Sequence, residues 1–201
     1  MNNAKKIAVL VSGGGTNLQA IIDAQNSGII KSGKVSLVIS NKEDAFALER
    51  AKKAGIPTLV ISKKECGNQE IFEDRIINAL DSDKIDLIVL AGFMSILSER
   101  FTTHFEKRII NVHPSLIPSF CGEGFYGLKV HEAALQKGVK VTGATVHFVN
   151  EIPDGGEIIM QKAVEVLVDD TPETLQKRVM QQAEWKILPE AIEKICSENI
   201  V

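Results

Sequence analysis

A five-residue apolar run, Ile7-Ala8-Val9-Leu10-Val11, empties directly into Ser12-Gly13-Gly14-Gly15-Thr16-Asn17, after which Leu18, Ile21 and Ile22 recur at helical spacing. An uninterrupted apolar run fits a central parallel strand, covered on both faces. Strand, glycine-rich turn and helix in that order make the layout of a phosphate cradle. Glycines let the backbone approach an anion, and the unpaired N–H groups of the helix start favour negative charge. The plainer alternative is a tight turn with no ligand. Two specific alternatives fit less well. A P-loop needs Gly-Lys-Ser/Thr at its end, which is missing. A dinucleotide fingerprint needs a third glycine where Leu18 stands and an acid at the tip of the next strand, but Val35–Ile39 ends in Ser40-Asn41-Lys42. A phosphate monoester therefore suits Gly15, Thr16 and Asn17 better than a dinucleotide.

The alternation continues down the chain. Residues 45–54 read as helix stopped by Gly55, 57–61 as a short strand, and Ile71, Ile76, Ile77 and Leu80 as the apolar face of a second helix. Residues 85–91 read as a buried strand, 98–105 as helix and 109–112 as strand. This order predicts an α/β fold: a Rossmann-like, doubly wound, mostly parallel sheet. From Val139 the pattern changes. Residues 144–149 and 158–168 are β-rich and joined through Asp154-Gly155-Gly156, predicting antiparallel strands at the sheet edge. Thr171-Pro172-Glu173 starts a last helix that runs past Pro189 to about Cys196. The glycine-rich stretch Ser119–Leu128 is expected to be a mobile loop or lid. His131, at the start of a helix over 129–137, reads as a surface or capping side chain. With no repeat or linker, residues 1–201 are expected to form one domain, a phosphate-binding half to about 110 and a second half from 111.

The segment Asn111-Val112-His113-Pro114-Ser115-Leu116-Ile117-Pro118 ends the fifth strand in two prolines, which can extend neither helix nor ladder. Asn111 and His113 are two apart, so an extended chain puts both on one side. An amide donor and an imidazole can then converge on one carbonyl oxygen. Ligands of doubly wound sheets bind beyond the carboxyl ends of the strands, at the topological switch point. The glycine loop, Gly92-Phe93-Met94-Ser95-Ile96-Leu97 and the Asn111–His113 stretch all fall there. The adaptable thioether of Met94 suits a slot for a flat heteroaromatic ring, although Phe93, Met94 and Leu97 are equally compatible with core packing. Asp154, between a strand and two glycines, reads either as a turn residue or as a functional carboxylate. Cys121 has no neighbouring base or helix start to lower its thiol pKa and is not read as a nucleophile.

Composition removes other classes. Net charge is -3, with Lys and Arg scattered rather than striped, which argues against nucleic acid. No apolar run approaches the ~20 residues of a bilayer span, and residues 1–6 lack the apolar core of a signal peptide. Three cysteines, odd in number and far apart, show neither metal-ligand spacing nor a disulfide framework. A cytoplasmic protein without metal is expected.

The sequence resembles the phosphoribosylglycinamide formyltransferases over nearly its whole length. The resemblance rests on Ser12–Ile21, Ala91-Gly92-Phe93-Met94, Asn111-Val112-His113-Pro114-Ser115-Leu116, Gly143–Val149 and Asp154-Gly155-Gly156. It implies transfer of a formyl group from the co-substrate 10-formyltetrahydrofolate to the amine of 5'-phosphoribosylglycinamide, in purine synthesis, by a monomer or homodimer. By that likeness Gly15, Thr16 and Asn17 hold the phosphate, and Gln181 and Glu184 contact the ribose and amine end. Met94, Ser95, Ile96, Leu97, Asn111 and Asn150 face the folate, and Asn111, His113 and Asp154 are catalytic. A protonated His113 beside Asp154 is expected, with His147 orienting the carboxylate or serving only as a strand histidine. The Ser119–Leu128 loop departs from the shorter Pro-rich loop of many relatives. Ser95 and Gln69 stand where some relatives have arginine. Formyltetrahydrofolate deformylase, other folate-dependent formyltransferases and a folate- or phosphosugar-binding module without turnover are the alternatives.

Overall fold

A seven-stranded sheet in the order β3-β2-β1-β4-β5-β6-β7 organises the chain. The computed structural model describes residues 4–198. Five strands are parallel: β1 (Lys5–Val11), β2 (Gly33–Ser40), β3 (Thr58–Val60), β4 (Leu87–Leu90) and β5 (Ile109–His113). β6 (Val141–Phe148) and β7 (Ile158–Glu165) then pair antiparallel at the edge. Helices α1 (Thr16–Asn26), α2 (Phe46–Lys53), α3 (Lys63–Cys66), α4 (Gln69–Ser82), α5 (Glu99–His104), α6 (Leu128–Lys137), α7 (Pro172–Val179) and α8 (Trp185–Ser197) cover both faces.

The apolar run of β1 serves two cores because successive strand residues point to opposite faces. Ile7, Val9 and Val11 pack with α1, α2, α7 and α8, whereas Ala8 and Leu10 pack with Phe72, Ile76 and Leu80 of α4 and Phe101 of α5. A fully buried aliphatic side chain contributes roughly 1.5–3 kcal/mol, so this pair of layers fixes the register of the central strands. Caps set the helix starts. Asn68 accepts from the Ile71 N–H at 2.8 Å, and Thr171 closes a capping box with Pro172 in the first turn of α7.

The chain runs outward from β1 to β3 and then returns to β4 on the other side of β1, so the switch point lies between β1 and β4. There the Met94 N–H donates to Ser12 Oγ at 2.8 Å, tying the two strand tips together.

Several expectations shift. β6 is continuous through Gly143, and β7 stops at Glu165. The chain turns there because the Leu167 N–H donates to Asp170 Oδ2 at 2.8 Å and Asp170 pairs with Arg178. The short α3 was not expected. The last helix is split by a π-helical turn, Met180–Glu184, before α8 carries Pro189 within it. Its signal is in the sequence: Leu175, Val179, Ala183, Ile187, Ala191 and Ile195 are all buried and recur every fourth residue. A straight helix of 3.6 residues per turn rotates such a stripe away from the core, and one wider turn corrects the drift.

Gly143 lies where β6 passes β7 too closely for a side chain. A Cβ there would stand 2.0 Å from the Lys162 carbonyl oxygen and 2.9 Å from Leu116 Cδ2. Gly143→Ala is expected to destabilise the protein by about 3 kcal/mol, read as a lower denaturation midpoint in urea. An unchanged midpoint would show that the strands separate freely.

Candidate active site

The antiparallel turn-back of β6 along β5 puts His147 directly opposite Asn111, and Thr145 opposite His113. Asp154, in the loop after β6, reaches back into the same space. Its Oδ2 lies 3.3 Å from His113 Nδ1, and its Oδ1 lies 3.5 Å from His147 Nε2. Both histidines are buried. Asp154 takes a left-handed backbone, φ 56, unusual for a residue other than glycine, and its carboxylate also accepts the Gly122 N–H at 2.9 Å.

Hydrogen-bond partners set the tautomers. His113 Nε2 is 2.8 Å from the Phe120 carbonyl; a carbonyl only accepts, so Nε2 carries the proton. Nδ1 then faces Asp154, ready for a second proton. His147 Nδ1 donates to the Phe148 carbonyl at 2.7 Å, which leaves Nε2 between Asp154 and Asn111 Nδ2, the latter 3.3 Å away. An amide nitrogen has two N–H groups, so Asn111 keeps one for a ligand.

Burial pulls the His113 pKa below the ordinary imidazole range, outweighing the opposing pull of Asp154's charge and the Phe120 carbonyl. Burial therefore works against the protonated form of His113, and Asp154 works for it. For Asp154, burial raises the pKa, but the His147 side chain beside it, the Gly122 N–H and the charge of the nearby imidazoles bring the net value below the usual carboxylate range. The Cys121 thiol is pushed up by burial and then by the charge of Asp154, unfavourable for a nucleophile.

Thr16, Asn17, Met94, Ser95, Ile96, Asn111, His113, Asp154 and Glu184 line one cavity of about 770 Å³ at the carboxyl ends of the strands. Four other expected site residues do not line this cavity. Gly15 is the left-handed N-cap of α1, φ 70. Leu97 is buried in the core against Phe72 and Phe101, below the Met94 loop. Asn150 shapes the following turn by accepting the Ile152 N–H at 3.1 Å. Gln181 is exposed on the π-helical turn and does not line the cavity. One extra residue in that turn shifts side-chain direction by about 100°, and Glu184 is the residue turned inward.

Glu184 accepts Asn17 Nδ2 at 2.8 Å, and burial raises its pKa from 4.5 to about 7. The other amide atom, Asn17 Oδ1, is buried without a partner. The Met94 loop is held by Ser12, by Asn41 Nδ2 on Ser95 Oγ at 2.9 Å, and by Gln69 Nε2 on the Ile96 carbonyl at 3.0 Å. Met94 and Ile96 remain 53% and 71% exposed, an apolar rim to the cavity.

Sequence reasoning missed five participants. The Phe120 carbonyl and Gly122 N–H are backbone groups with no residue signature. Gln176 and Met180 enter the lining from α7 and the π-helical turn. His131 was expected at the surface but is buried, lines the cavity, and has both ring nitrogens without a partner. Its pKa is lowered to about 4, first by burial and then by His113. Its three-residue spacing from buried Ala134 was the available signal. Among the described residues no cluster of His, Cys, Asp and Glu could hold a metal ion, and no helix is long and apolar enough to cross a membrane.

The sequence profile of the formyl transferase family matches residues 5–192. The chain belongs to that family. Phosphoribosylglycinamide formyltransferase of Haemophilus influenzae is 47% identical to this formyltransferase over 92% of its chain and 84% of the relative's. The trifunctional purine biosynthetic protein adenosine-3 of Homo sapiens is 45% identical over 97% of the chain, which spans 19% of that longer protein. Among solved structures, glycinamide ribonucleotide transformylase 1 from Symbiobacterium toebii superposes with a TM-score of 0.90 at 42% identity, covering 97% of this chain and 89% of that one. The sheet order and antiparallel edge are therefore those of a folate-dependent formyltransferase.

The raised Glu184 pKa has a stability consequence. Between pH 4.5 and about 7 the folded protein keeps a proton that the unfolded chain has released. Stability therefore falls as pH rises through that window and stays lower above it, by about 3 kcal/mol. Glu184→Gln is expected to be more stable than the parent at about pH 8 and no more stable at about pH 4, by urea midpoints. An equal difference at both pH values would contradict the assignment.

Proposed function

We infer that this formyltransferase moves the formyl group of 10-formyltetrahydrofolate to the amine of 5'-phosphoribosylglycinamide, in purine synthesis, giving the N-formyl product and tetrahydrofolate. One observation carries the reading. A single cavity joins the glycine-rich cradle at Thr16 and Asn17, the apolar rim at Met94 and Ile96, and the Asn111–His113–Asp154 cluster between them. A phosphate ester, a pterin and a reacting carbonyl each find the surface chemistry they need. The alternatives of deformylation and of binding without turnover lack such a reason for the cradle and the cluster together.

The substrate amine attacks the formyl carbon, and negative charge develops on the formyl oxygen. His113 gives up the Phe120 carbonyl and donates Nε2–H to that oxygen, and Asn111 donates its second N–H. Donors placed for an oxyanion contribute about 3 kcal/mol each. As the charge grows, the imidazole gains basicity, and Asp154 accepts the hydrogen bond of a proton arriving at Nδ1. That proton leaves the attacking amine and passes to the folate nitrogen as the carbon–nitrogen bond breaks, so His113 and Asp154 end unchanged. Glu184 and Asn17 Oδ1 serve the ribose and amine end.

Incubation with both substrates is expected to give tetrahydrofolate and the N-formyl product in equal amounts, with none when the amine substrate is omitted. His113→Ala is expected to lose about a thousandfold or more in kcat. Release of tetrahydrofolate without the amine would mean a deformylase instead.

Asp154→Asn removes the charge that raises the His113 pKa. The His113 titration midpoint, followed by NMR of the ring nitrogens, is expected to fall below that of the parent, with kcat at least about a hundredfold lower. A midpoint that stayed put or rose would break the proposed coupling.

A further inference from the structure

Helix α2 holds the glycine loop by its carbonyl oxygens. The Ala47 N–H donates to the Gly13 carbonyl at 3.0 Å, and Arg50 Nε donates to the Gly14 carbonyl at 2.8 Å. The same guanidinium donates from Nη1 to Gln19 Oε1 on α1 at 3.1 Å, and its carbon lies 5.1 Å from the centre of the Phe46 ring. The fit is close. A Cβ on Gly15 would stand 2.6 Å from Ala47 Cβ and 3.4 Å from Arg50 Cδ.

In a trans peptide the C=O and N–H point in opposite directions. Anchoring the Gly13 and Gly14 carbonyls on α2 therefore turns the N–H groups of Gly14 and Gly15 away from it. The loop is open around Gly13 and Gly14, where a Cβ would meet nothing within 4 Å. Residues 12–17 contain no lysine or arginine, so a phosphate dianion there depends on amide dipoles unless charge is supplied from outside the loop. Only a planar fork with several fixed donors can hold a carbonyl and a side-chain amide together. Ordering so long a side chain costs rotamer entropy, which a surface position on α2 gives no structural reason to spend.

We propose that Arg50 is a positioning residue for phosphate recognition. It locks the Gly14 carbonyl between α1 and α2, which keeps the Gly14 and Gly15 amides aimed at the 5'-phosphate of the substrate, and it places a positive charge behind them. The proposal rests on the reading of residues 13–17 as the phosphate cradle. It goes further by assigning phosphate selectivity to a side chain outside the loop.

The test compares the parent with Arg50→Met and Arg50→Lys, using phosphoribosylglycinamide, the same substrate without its 5'-phosphate, and inorganic phosphate as competitor. In Arg50→Met, KM for the phosphorylated substrate and the inhibition constant of phosphate are expected to rise together by about tenfold, the scale of one charge-assisted hydrogen bond. kcat and KM for the folate should stay within about twofold, and the poor kcat/KM of the dephosphorylated substrate should not change. Arg50→Lys keeps the charge but not the fork and is expected to recover only part of the loss. An unchanged KM in Arg50→Met, or an equal loss with the dephosphorylated substrate, would overturn the proposal. Full recovery in Arg50→Lys would overturn the clamp. A parent enzyme indifferent to the 5'-phosphate would overturn the cradle reading itself, a result visible before any variant is made.

Discussion

The carboxylate of Asp154 stands between two buried imidazoles, and the rest of the site is arranged around that contact. It exists because β6 runs antiparallel along β5 and ends level with Ile110, and the loop that follows folds back until Asp154 is within reach of His113. Burial disfavours charge on His113 while the Asp154 carboxylate favours it, and burial has the upper hand at rest. An imidazole balanced in this way gains a proton when negative charge appears nearby and yields it when that charge disappears. The contact is thus matched to a reaction in which charge comes and goes on a neighbouring oxygen.

The backbone of the Ser119–Leu128 loop completes the resting arrangement. The Phe120 carbonyl occupies the donor of His113, and the Gly122 N–H occupies Asp154. Both proposed catalytic groups are satisfied while buried, as burial requires of polar groups. A ligand that offers an oxygen to Nε2 replaces one acceptor with another, so opening the site need not leave an orphaned group. The loop expected from sequence to be a lid has, in this structure, its first residues folded onto His113 and Asp154 themselves.

Glu184 shows the opposite balance. The π-helical turn drives a carboxylate into the interior where, among the described residues, the Asn17 amide is its donor, and leaves Asn17 Oδ1 without a partner. Such groups weaken a fold. Their position beside the glycine loop and the cavity fits the proposed role as ligand groups, since function is where local violations of packing rules are expected. The pairing also joins α1 to the π-helical turn across 167 residues of chain, so the proposed phosphate and amine ends of the cavity are tied directly together.

Most of the architecture was readable from one dimension. Apolar runs of strand length alternating with amphipathic helices dictate a doubly wound sheet, because each strand must be covered on both faces and each crossover must be right-handed. The motif residues Thr16, Asn17, Met94, Asn111, His113 and Asp154 carry their chemistry in their types and their order. Tertiary structure decided which atoms meet. Leu97 fell into the core, Gln181 turned outward and His131 turned inward, because side-chain direction depends on helix phase to within a fraction of a turn, and one π-helical turn resets it. Proton placement was likewise undecided by sequence. Whether His113 rests charged depends on how much water its surroundings exclude against how near a carboxylate comes, and both are set only when distant segments pack.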